Sequence, residues 1–127
     1  MPLRIVAGLL GLFFLIQGVN WLVDPATAAS GVGMPMLDGL ARSTQLGDLS
    51  GFFLSLGGFA IYGAYRVNPT WLRAAACLVG VVAVTRTIAW AFHDAPFAGL
   101  FIAIELISAA TFFASASRLA TAGGAPD

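Results

Sequence analysis

Residues 71–117 read WLRAAACLVGVVAVTRTIAWAFHDAPFAGLFIAIELISAATFFASAS. Two apolar runs, 71–92 and 96–117, are joined by three residues, His93, Asp94 and Ala95. Roughly 20 apolar residues in a helix cross a hydrocarbon core of about 30 Å, and each run is that long. So short a connection makes the two helices antiparallel neighbours. Working outward, RIVAGLLGLFFLIQGVNWLV (4–23) and LSGFFLSLGGFAIYGAY (49–65) are two further apolar runs. The second leads into the run at 71 through the short turn RVNPT (66–70). No run alternates with period two, which excludes a closed β-barrel. The sequence therefore predicts an all-α membrane protein. It predicts an antiparallel bundle of four transmembrane helices, one domain over 1–118, with a small disordered tail at 119–127.

Composition supports this. Of 127 residues, 59% are hydrophobic and 9% are charged. A soluble domain carries about 25% charged residues, so this chain lacks the polar groups to cover a wet surface. Six basic residues balance six acidic ones, without the basic excess a nucleic-acid partner would need. The one cysteine, Cys77, has no intrachain partner and reads as a small packing residue.

Basic residues set the orientation. Arg4, Arg66, Arg73 and Arg118 all fall on one side, which places both termini in the cytoplasm. Trp21 and Trp90 are then expected at the outer interface and Trp71 at the inner one. Met1 to Arg4, the following apolar run and Ala26-Thr27-Ala28 also resemble a cleaved signal peptide. The run exceeds the usual 7–15-residue signal core, and we expect the span to be retained. The segment 24–47 reads either as a mobile loop or as a cap with a short helix around 36–42. WLVDPA after the first span echoes WAFHDAP after the third, as a duplicated two-helix unit would.

Two charges lie inside the spans. Arg86 is six residues from the outer end of the third span, roughly 9 Å deep, and Glu105 is nine residues past Pro96, roughly 13 Å deep. Unpaired charges at such depth are costly, so the two are expected to pair, the guanidinium presenting its planar fork to the carboxylate. Other polar residues form stripes at helical spacing. They are Gln17 and Asn20 on the first span; Asp48, Gly51, Ser55, Gly58 and Tyr62 on the second; Arg86, Trp90 and His93 on the third; and Phe101, Glu105, Ser108, Phe112 and Ser115 on the fourth. Turned inward, these stripes would enclose a pocket in the outer half. Gly47, Gly51 and Ser55 recur every four residues, as in close helix contacts.

The segments GDLSGFFLSLGG (47–58), TRTIAWAFHDAP (85–96) and IAIELIS (102–108) resemble a family of small four-helix bacterial membrane proteins of unknown function. In layout the chain is similar to the DoxX-like group. The resemblance covers roughly 40–115 and rests on Asp48, Gly51, Arg86, Asp94 and Glu105. It implies a multi-pass protein of the bacterial inner membrane and no settled activity.

Three functions fit these residues. In the first, Arg86 and Glu105 anchor the polar head of a small amphiphile, such as a quinone or an isoprenoid lipid. Trp90, Phe101 and Tyr62 line its apolar part, with Gln17 and Asn20 nearby. His93, Asp94 and Asp48 handle protons at the mouth. In the second, the pair only fixes helix register in an accessory or assembly subunit, within a homo-oligomer or a larger membrane complex. In the third, the chain is a small ion-coupled transporter. Small multidrug exporters carry their membrane glutamate in the first helix, where this chain has Gln17 and no acid. Cys77 and His93 lie toward opposite halves of one span, so no metal site is expected. No cofactor and no catalytic residue are assigned.

Overall fold

The computed structural model of the chain describes residues 2–123. They form five helices: α1 (Pro2–Val23), α2 (Pro25–Gly31), α3 (Gly39–Tyr65), α4 (Pro69–Phe92) and α5 (Gly99–Gly123). Helices α1, α4 and α5 are long and apolar enough to cross a membrane. Helix α3 is the longest, but it begins with the polar stretch GLARSTQLGD and is diluted by glycine and serine further on.

Local chemistry explains where the helices start. Asp24-Pro25 and Asn68-Pro69 each place a capping side chain before a proline. Asn68 Oδ1 accepts from the Thr70 N–H at 3.0 Å. Asp24 Oδ1 accepts from the Thr27 N–H at 3.4 Å. The segment read as a long loop, 24–47, is thus mostly helical. The short helix expected around 36–42 is instead the opening turn of α3, and α2 lies upstream of it. Only residues 32–38 remain as a strap between them. The α4–α5 connection is 93–98, longer than three residues, because Pro96 stands outside α5.

Two reversals use left-handed backbone, at Val67 (φ 54°) and Asp94 (φ 55°). Asp tolerates this region, whereas a β-branched residue there is strained. The Val67 turn is closed by the Asn68 N–H, which donates to the Gly63 carbonyl at 2.9 Å.

Gly8 meets Ala64, Gly11 meets Ala60 and Gly18 meets Leu54, so α1 and α3 run side by side in opposite senses. A Cβ on Gly57 would stand 2.5 Å from the Leu15 nitrogen and 2.6 Å from the Gly11 oxygen. The two backbones touch there, as small residues allow. The expected contact stripe was a different one. Gly47 and Gly51 face open space and Ser55 is exposed, because the inward face of α3 carries Leu56, Gly57, Ala60 and Gly63. Helix α4 packs closely on α5, α3 joins α4 more lightly, and the α1–α5 contact is lighter still.

The dense core sits toward the start of α1. There Ala7, Ala60, Leu72, Ala75, Phe112 and Ala116 are buried together. Arg4, Arg66, Arg73 and Arg118 surround this same end. The outer faces are apolar, with Ile5, Leu9, Ile16, Val84, Ile107 and Phe113 all exposed.

Two sequence expectations change at the ends. Trp21 is 1% exposed and belongs to the interior, not to an interfacial belt, whereas Trp90 is 51% exposed. The repeated Trp-turn motif therefore occupies two unlike environments. Helix α5 continues through 119–123, where Leu119 packs on the core and Thr121 Oγ1 donates to the Arg118 carbonyl at 2.9 Å. The rest of the expected tail, 124–127, lies outside the described residues.

Candidate functional site

The stripe Phe101, Glu105, Ser108, Phe112 and Ser115 turns one face of α5 inward, and Glu105 is 8% exposed. Arg86 is six residues before the end of α4 and Glu105 six after the start of α5, each roughly 9 Å from its helix end. The later start of α5 brings the two to the same level. Arg86 Nε donates to Glu105 Oε1 at 2.6 Å.

The contact is end-on, not the bidentate fork expected. Nε makes the only hydrogen bond of the Arg86 side chain among the described residues, which leaves the Nη donors unused. Glu105 Oε2 is buried and has no partner among the described residues. The guanidinium carbon stands 4.9 Å from the centre of the Phe101 ring, a cation–π distance.

Two cavities meet at this pair. The larger, about 490 Å³, lies between α1 and α5 beneath α2. Phe13, Gln17 and Asn20 of α1 line it, with Asp24 and Thr27 above and Phe101 and Ile104 opposite. The smaller, about 310 Å³, lies between α3 and α4 beneath the strap, against Met34, Phe52 and Val82. Phe14, Val32, Phe53, Arg86 and Glu105 border both. The Phe14 and Phe53 rings stack at 6.2 Å and 17° beside the pair, so aromatic faces and one ion pair divide the two spaces. Both volumes are in the range of small-molecule sites, about 300–1,000 Å³.

The strap is fastened over the smaller cavity. Gln45 is 4% exposed. Its Oε1 accepts from the Leu37 N–H at 3.0 Å, and its Nε2 donates to the Pro35 carbonyl at 2.9 Å. Arg42 adds a bond from Nε to the Leu37 carbonyl at 2.7 Å and one to Asp38 at 3.1 Å.

Of the residues predicted for the site, the structure brings five together: Arg86, Glu105, Gln17, Asn20 and Phe101. The others lie elsewhere. Asp48 is on the exposed face of α3, opposite to the phase expected. Tyr62 packs edge-on against Trp71 at 5.5 Å, and Trp71 is fifteen residues, or about 22 Å, from Arg86 along α4. Trp90 turns out of the pocket to meet Phe97 at 5.1 Å. His93 is the C-cap of α4, and Asp94 makes the reversal that follows.

The sequence reading missed the aromatic walls Phe13, Phe14 and Phe53, and among the polar and strap residues it missed Asp24, Thr27, Met34 and Gln45. The Asp-Pro cap signature before α2 could have revealed Asp24 and Thr27. Nothing local marks Gln45, whose partners are eight and ten residues away.

The fold defines an all-helical protein with three helices of membrane-crossing length and a partly buried ion pair at the junction of two cavities. The chain belongs to the family described as a domain of unknown function, DUF4345, which matches residues 2–116. No curated protein and no solved structure matches it.

Proposed function

We propose that the chain is a four-span membrane protein whose larger cavity holds the polar head of a small amphiphile against Arg86 and Glu105. In this reading α3 crosses the bilayer with α1, α4 and α5 as an antiparallel bundle. The opposed register of α1 and α3 supports this, as do the apolar outer faces. The arginines at the core end point to cytoplasmic termini by the positive-inside rule. The cavities then belong to the outer half of the bacterial inner membrane, in a layout like that of the DoxX-like group.

The observation that carries the proposal is the unpartnered Glu105 Oε2 beside the unused Arg86 Nη donors. A pair serving only as a staple would satisfy its own atoms, since an unmet buried polar atom costs about 1–3 kcal/mol. Here both residues of the pair line an aromatic-walled space. Isoprenoid lipids and quinones have the matching form, a small head on an apolar chain. Native mass spectrometry of the chain extracted in a gentle detergent tests the reading. A co-purified amphiphile that disappears in the Arg86→Leu, Glu105→Leu double variant is the expected result. A folded wild-type chain that carries no such molecule and takes none up overturns it.

A further inference from the structure

We infer that the head recognised at Arg86 and Glu105 is a neutral hydroxyl, so that the ligand is a long-chain alcohol or phenol. This rests on the amphiphile reading above and narrows it. The pair lines both cavities with hydrogen-bonding capacity to spare: the Glu105 carboxylate accepts a single bond, and Arg86 donates through Nε alone. A complementary head must therefore donate one hydrogen bond and accept another.

A hydroxyl does both with a single oxygen. A ketone or a fully oxidised quinone only accepts, and would bring the carboxylate no second donor. Charge points the same way. Arg86 and Glu105 already neutralise each other at 2.6 Å. A carboxylate or phosphate head would add an uncompensated negative charge beside Phe13, Phe14, Phe53 and Phe101.

The surroundings also fit a small head. Gln17 and Asn20 on α1, and Asp24 just beyond its end, follow one another at spacings of three and four residues from the pair's level toward the exposed end. The apolar tail has a separate way out. The α1–α5 seam is lightly packed, and the cavity residues Phe13 and Ile104 on its two sides are 47% and 38% exposed. A hydroxyl would sit at the pair while its chain leaves sideways through this seam.

The experiment uses the full chain in detergent with geranylgeraniol, its methyl ether, its monophosphate and a zwitterionic phospholipid as competing probes, read by native mass spectrometry. The alcohol should bind about tenfold or more tightly than the ether, which keeps the acceptor and loses the donor. In Glu105→Gln the amide can donate to an ether oxygen, and the difference should fall to about twofold or less. The comparison on the unaltered chain decides the matter if that variant does not fold. If the ether, the phosphate or the phospholipid binds as well as the alcohol, the hydroxyl inference is overturned. The amphiphile reading survives that result provided binding is still abolished by Ile104→Trp, which fills the cavity. If no probe binds, or if Ile104→Trp changes nothing, both fail.

Discussion

Arg86 Nε and Glu105 Oε1 meet at 2.6 Å across α4 and α5, and this one bond joins the two charges that lie deepest in the apolar helices. Breaking a buried pair by removing one partner costs about 3–5 kcal/mol. Arg86 is one-third exposed toward the cavity, which puts its removal at the lower end of that range. Either Arg86→Leu or Glu105→Leu should lower the thermal midpoint in detergent. The double variant should recover much of the loss, because no charge is then stranded. Additive losses across the cycle would mean that the two side chains act independently.

The glycines of α3 should divide sharply. Gly57→Ala puts a methyl against the Leu15 nitrogen and the Gly11 oxygen, backbone atoms that cannot give way. Overpacking of this kind costs about 1–3 kcal/mol. Gly51→Ala meets nothing within 4 Å and should be neutral or stabilising, by up to about 1 kcal/mol from helix propensity. Equal effects in thermal unfolding would refute the close approach of α1 and α3.

Gln45 should govern the strap. Gln45→Leu removes the partners of the Leu37 N–H and the Pro35 carbonyl together. The two bonds are part-buried, and losing each should cost about 0.5–1.5 kcal/mol. Hydrogen exchange should quicken at 32–38 with little change in α4 and α5. Breaking the exposed Arg42–Asp38 bridge with Asp38→Ala should matter less, since such pairs contribute about 0–1 kcal/mol. Unchanged protection of the strap in Gln45→Leu would show that other contacts hold it.

Orientation has its own test. Reporter fusions at residue 127 and within 32–38 should report the cytoplasmic and outer sides respectively. A C-terminus on the outer side would reverse the bundle and put both cavities in the inner half.

The sequence disclosed the ion pair because charge is rare in apolar helices, so Arg86 and Glu105 had few other partners. It disclosed the inward stripe of α5 because Glu105 marks that face. It misread α3, where no charge sets the phase: lipid and protein interior are both apolar, so Asp48, Ser55 and Tyr62 could be assigned to the wrong face. Trp21 was misplaced for the same reason, since a tryptophan near a helix end suits an interface as well as a core. The strap depends on Gln45 reaching back across eight and ten residues, a long-range pairing without a local signature.

Val67 gives the molecule a reserve of stability remote from the cavities. Its left-handed backbone carries strain of about 1–3 kcal/mol, which the packing of Gly63 on Leu72 holds in place. Asparagine and glycine occupy that conformation far more readily. A Val67→Asn chain should therefore start from higher ground than the natural one. It can absorb losses at Arg86, Glu105 or Gln45 that would otherwise unfold the protein. Residue 67 lies at the arginine-rich end, so it offers a way to strengthen the scaffold without touching the chemistry at the other.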